Sequence, residues 1–167
     1  SQKLPDSAFH GERFKDHSKS LKGDNDVLNI TCPEAVQKVH RLYLEAGADI
    51  IETNTFNSTS ISQADYLLEA HVYEMAREGA RIARQVADEF TAKNPAKPRL
   101  VAGSIGPTSR TASMSPDLCN PGARNVTFDE LAASYKTCAA GLVDGRADML
   151  LIETVFDALN CKAAIYA

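Results

Sequence analysis

Two segments of the chain place the same residue types in the same position: Ala48-Asp49-Ile50-Ile51-Glu52-Thr53-Asn54-Thr55-Phe56 and Ala147-Asp148-Met149-Leu150-Leu151-Ile152-Glu153-Thr154-Val155-Phe156. Each is an apolar run too short for a helix that stops on Glu-Thr, so each reads as a buried strand with a carboxylate and a hydroxyl where it leaves the core. In α/β folds, binding and catalytic groups collect at the carboxyl ends of parallel strands, where loops are free of packing duties and the strand holds them still. Glu153, Thr53 and Asn54 are therefore the first candidates. Glu52 directly precedes Thr53 and points to the opposite face of a regular strand, which suits a salt bridge better than a ligand.

The elements that must position these residues are marked by repeated start signals. Thr31-x-x-Glu34, Ser60-x-x-Gln63 and Thr127-x-x-Glu130 all fit a capping box, in which the first side chain bonds an orphan amide and the last reaches back. After the first, Val36, Val39, Tyr43 and Ala46 recur at helical spacing and Gly47 supplies the stop; after the third, Leu131, Tyr135, Cys138 and Leu142 run to Gly145. Both helices lead into the Glu-Thr strands. Between them Leu68, Val72, Met75, Gly79, Ile82 and Val86 form a stripe reaching about Phe90, long enough to require a break or two helices.

Asn94-Pro95-Ala96-Lys97-Pro98 is a turn signal, and Arg99 to Pro107 reads as a further strand leaving through a Gly-Pro turn, where Gly103, Gly106 and Pro107 could let backbone approach a ligand. Strict alternation of helix and strand means parallel strands, in an open doubly wound sheet or in part of a (β/α)8 barrel. A full barrel needs about 250 residues. A chain of 167 supplies about half, and its last helical pattern, 157–167, stops without a cap. Residues 1–26 read as an irregular lead-in and 27–167 as successive β/α units.

Composition narrows the function classes. With 44% hydrophobic and 24% charged residues the chain is that of a folded soluble domain. A net charge of −4 without a Lys/Arg cluster argues against nucleic acid. No apolar stretch approaches the roughly 20 residues of a membrane span, and Ser1 to Pro5 lack a signal core, so a cytoplasmic location is expected. Cys32, Cys119, Cys138 and Cys161 are scattered without a Cys-x-x-Cys pair, as reduced thiols would be. His10, His17, His40 and His71 share no metal-ligand spacing; the first two fall in a polar lead-in that reads as solvated loop, the others in helices as packing or surface residues. Asp157 is placed to cap the helix that follows it.

The wording of several segments is specific. Leu21-Lys22-Gly23-Asp24-Asn25-Asp26, Ala46 to Phe56, Gln63-Ala64-Asp65-Tyr66, Gly106-Pro107-Thr108 and Leu151 to Asp157 closely resemble the amino-terminal homocysteine-binding module of the cobalamin-dependent methionine synthases, from about Phe14 to the last residue. Homocysteine methyltransferases that use betaine or S-methylmethionine share the module but match these words less well. The family pattern has asparagine where this chain has Asp24 and Ser109.

The resemblance implies a (β/α)8 barrel in which homocysteine lies at the carboxyl ends of the strands with its sulfur on zinc. A free thiol is mostly protonated at neutral pH, zinc coordination makes it a thiolate, and the thiolate takes the methyl group from methylcobalamin, which methyltetrahydrofolate recharges. It further implies that Glu153 pairs with the homocysteine ammonium, that Thr53 or Asn54 holds its carboxylate, and that Gly106 lets backbone approach it. The long 108–125 connection could meet the cobalamin-bearing module. The family's three zinc cysteines follow later strands, and none of the four cysteines here falls in such a motif; the first strand, with its Asp-Gly-Gly-x-Gly-Thr phrase, is also absent. Zinc, cobalamin and the folate-binding module therefore belong to the intact parent enzyme, and the expectation for this chain is an inactive half barrel with open sheet edges. A fragment of a cobalamin-independent homocysteine methyltransferase and a self-associating, amino-acid-binding half barrel are the alternatives.

Overall fold

A computed structural model describes residues 4–167. The lead-in is less irregular than its composition suggests. It contains a short helix, α1 (Asp6–His10), and buries Phe9, Phe14 and Leu21 against Val27, Leu28, Val36 and Met75. These apolar residues are too widely spaced to give a period, so the sequence hides their packing.

Two short helical segments follow, α2 (Leu28–Thr31) and α3 (Pro33–Glu45). The capping box expected at Thr31 does not form. Its hydroxyl instead donates to Val27 O at 3.2 Å within α2, and α3 starts with Pro33, whose missing amide costs nothing in a first turn. The buried row of α3 is Val36, His40 and Leu44 rather than the expected Val36, Val39, Tyr43 and Ala46; Val39 is 50% and Tyr43 64% exposed.

The strands β1 (Ile50–Glu52), β2 (Leu100–Ile105) and β3 (Met149–Ile152) form a parallel sheet with β2 in the centre, in a register that pairs Ile51 with Val101 and Ser104 with Leu151. Between β1 and β2 the expected break occurs: α4 (Ser60–Gln63) and two 3-10 turns precede the long α5 (Val72–Lys93). The cap of α4 is Thr59, one residue earlier than expected, accepting from Ser62 N. On α6 (Phe128–Asp144) the Thr127/Glu130 box forms in full, and α7 (Ala158–Tyr166) is capped by Asp157 as expected.

Ile51 and Val101 pack against Leu44, Ala83 and Val86, and Ile105 packs against Leu131, Cys138 and Leu142. Each of these Ile, Val and Leu side chains contributes roughly 1.5–3 kcal/mol. Helices α5 and α6 approach closely because Gly141 and Gly145 face α5; a Cβ on Gly145 would lie 2.4 Å from Arg77 O. The strands were expected to be buried, but on the face opposite this core the two outer strands are open, while Ala102 and Ser104 of the central strand are buried. Ile50 is 48% and Met149 39% exposed there.

Candidate functional site

Strand β1 leaves the ladder after Glu52, and its next residues replace backbone partners with side chains. Thr53 N still donates to Ala102 O at 2.9 Å. Beyond it Ser104 N donates to Thr53 Oγ1 at 2.9 Å, and Thr55 Oγ1 donates to Ser104 O at 2.7 Å. The hydroxyl of Thr55 has only one proton, so in the 2.6 Å contact between Thr53 Oγ1 and Thr55 Oγ1 it is Thr53 that donates. Thr53 is buried with its amide and its hydroxyl proton both engaged.

Across β2, the Ser104 hydroxyl donates to Glu153 Oε1, while Glu153 N is held by Ile105 O at 3.1 Å. The buried Ser104 thus connects two of the expected site residues, Thr53 and Glu153. Thr154 follows in the left-handed region at φ 53°, which a β-branched residue rarely adopts, and turns the chain sharply after Glu153. Glu153 lines a small cleft with Gly106, Pro107, Ile152 and Phe156. Gly106 is packed on the loop after β1; a Cβ there would lie 2.4 Å from Phe56 O.

Asn54 faces away from this cluster. Its Nδ2 donates to Asn25 O at 2.7 Å and Asn29 Oδ1 at 3.2 Å, and its carbonyl accepts from Asn29 Nδ2 at 2.7 Å. It ties the lead-in to the β1 end. Glu52 is exposed, on the opposite face from Thr53 as alternation requires.

Two loops frame the cluster. The one after β1 is held by Asp26, whose Oδ2 accepts from Asn57 N at 2.8 Å and Ser58 Oγ at 2.7 Å; burial, with the nearby Asp24 adding to it, pushes the Asp26 carboxyl up to about 7. The one after β2 is held by α7. Asp157 accepts from Ser113 N and Ser113 Oγ, and Asn160 bonds Ala112 N, Thr108 Oγ1 and Arg110 O. Burial opposes the Asp157 charge, but the Ser113, Asn160 and Leu159 donors outweigh it and hold the carboxyl below its usual range.

Zinc does not fit the described residues. No three His, Cys, Asp or Glu side chains among them converge to hold a metal ion. Cys138 is buried and its thiol is pushed up to about 12, chiefly by that burial, which opposes thiolate formation; Cys119 lies in an exposed loop. His40 is enclosed, and burial lowers its ring to about 4. Among the described residues no helix is long and apolar enough to cross a membrane.

The sequence does not single out Ser104 or Thr154, nor the Asn25 and Asn29 partners that turn the expected Asn54 away from the cluster. Ser104 sits in a phrase that reads only as strand, and its link to Glu153 depends on a register between strands far apart in sequence. No residue type at 154 signals a left-handed turn.

The fold has solved counterparts. The metallated form of the Escherichia coli homocysteine methyltransferase MmuM is 28% identical with a TM-score of 0.66, over 81% of this chain and 47% of that one. Its oxidized form is 26% identical with the same score and coverage. The apo form, at 22% identity and a TM-score of 0.60 over 83% of this chain and 46% of that one, is alike in fold. The chain thus spans about half the length of these structures. The family model described as homocysteine S-methyltransferase matches residues 5–167, and the chain belongs to the homocysteine S-methyltransferase family.

Proposed function

We propose that this chain is the homocysteine-binding part of a cobalamin-dependent methionine synthase of the cytoplasm, and that its three β/α units are part of a (β/α)8 barrel. The observation that carries the reading is Glu153. A carboxylate at the end of β3, fixed by Ser104 and lining the Gly106 cleft, is suited to the ammonium group of an amino acid. Thr53 serves this site from behind, since its hydroxyl orders the β1 end against Ser104. Asn54 fixes the approach of the lead-in, and Gly106 keeps the cleft floor close to Phe56.

In this reading the whole enzyme transfers a methyl group from methylcobalamin, recharged by methyltetrahydrofolate, to homocysteine and yields methionine. Zinc and cobalamin are held by parts of that enzyme other than residues 4–167. The wording of Ala46 to Phe56 and of Leu151 to Asp157 favours the cobalamin-dependent branch over those using betaine or S-methylmethionine. The test is methyl transfer to L-homocysteine by the intact protein, with methylcobalamin and S-methylmethionine offered separately. Transfer from methylcobalamin alone is the expected result. Transfer from S-methylmethionine would move the protein to the other branch, and transfer from neither would overturn the reading.

A further inference from the structure

We infer that Ser104 is the positioning residue of the amino-acid site, setting the Glu153 carboxylate in place through its hydroxyl while Thr53 and Thr55, just after β1, hold the Ser104 backbone. The inference rests on the reading of Glu153 as the ammonium partner. Three of the polar groups of Ser104 are engaged, and each by a different atom: its amide by Thr53 Oγ1 at 2.9 Å, its carbonyl by Thr55 Oγ1 at 2.7 Å, and its hydroxyl by Glu153 Oε1.

The order of protons in this chain is fixed. Thr55 gives its proton to the Ser104 carbonyl, so Thr53 gives its own to Thr55 and receives the Ser104 amide. The carbonyl and amide of Ser104 cannot rotate independently of β2, and the side chain is enclosed. The acceptor of its hydroxyl proton is Glu153 Oε1. Glu153 lines the cleft, and a carboxylate held by a fixed neighbour loses less freedom when a ligand binds.

Ser104 does not touch the ligand in this account, which separates it from a contact residue in a measurable way. The experiment is calorimetric titration of the intact protein with L-homocysteine and with 4-mercaptobutanoate, the same molecule without the ammonium. Ser104→Ala keeps the backbone bonds to Thr53 and Thr55, and is expected to weaken homocysteine binding roughly tenfold, the scale of one hydrogen bond to a charged group, with 4-mercaptobutanoate unaffected. Ser104→Thr keeps a hydroxyl and should restore most of the loss. In a Glu153→Gln background Ser104→Ala should add little, because the two residues act through one contact.

Equal losses for both ligands, or additive losses in the double variant, would show Ser104 to be merely structural and overturn the inference. If Glu153→Gln weakens homocysteine and Ser104→Ala does not, the inference fails while the reading of Glu153 stands. If Glu153→Gln itself has no effect, both fail.

Discussion

Asp26 reaches across 31 positions of sequence to hold Asn57, accepting its backbone amide at 2.8 Å, and so couples the ionisation of a buried carboxyl to the loop that follows β1. Burial raises Asp26 from its ordinary 3.8 to about 7, so the folded protein keeps a proton that the unfolded chain releases. The stability this contributes is complete below about pH 4 and is lost as pH rises through 7. Asp24, also raised by burial, adds in the same direction. His40 works the other way. Lowered from 6.5 to about 4 by burial, it favours folding above pH 6.5, and that stability is lost as pH falls toward 4.

The two opposing slopes, each at most about 1.4 kcal/mol per pH unit, overlap between pH 4 and 6.5. Urea unfolding across that window should show stability falling with pH more steeply once His40→Leu removes the opposing slope, and less steeply or rising once Asp26→Asn removes the larger falling one. A profile unchanged by either substitution would contradict the account.

Thr53 supplies the acceptor for an amide that the departing strand no longer serves. Thr53→Val should cost about 1–3 kcal/mol, because the buried Ser104 amide is left unpaired, and Thr53→Ser should recover most of it. Equilibrium denaturation measures both. A Val variant as stable as the parent would remove Thr53 from the network.

Gly106 and Gly122 differ in the space around them. A methyl group at Gly106 meets Phe56 O at 2.4 Å, whereas at Gly122 the nearest atom is Asn120 Oδ1 at 3.6 Å. Gly106→Ala should cost about 1–3 kcal/mol through overpacking, and Gly122→Ala should stay within about 0.5 kcal/mol. The same denaturation assay distinguishes them.

Val39, Leu42, Tyr43 and Ile50 line one groove beside β1, all exposed in the described structure. An apolar surface of this kind on an open sheet edge favours association. The 167-residue chain alone should elute from size exclusion above its monomer mass of 18.1 kDa, and Val39→Lys with Leu42→Glu should shift it toward the monomer. A monomeric parent chain would contradict this.

Much of the scaffold is legible in the amino-acid sequence. The Glu-Thr strand ends, the break before Val72, the Thr127 cap and the Asp157 cap all follow from local chemistry: short apolar runs, turn residues, and side chains that bond their own helix. What escapes is set by contacts between distant segments. The lead-in reads as polar, yet its Phe9 and Phe14 complete the core. The buried row of α3 is turned by one residue, because His40 rather than Val39 is enclosed. The Thr53–Ser104–Glu153 connection needs the parallel register of three strands, which no single segment encodes.

Glu153 is the proposed partner of the homocysteine ammonium. The direct measurement is the affinity of the intact protein and its Glu153→Gln variant for L-homocysteine and for 4-mercaptobutanoate. Glu153→Gln should lose roughly 10- to 100-fold in affinity for homocysteine, the range for a hydrogen bond to a charged group, with no change for the ligand without the ammonium. Equal affinities of the two proteins for homocysteine would contradict it.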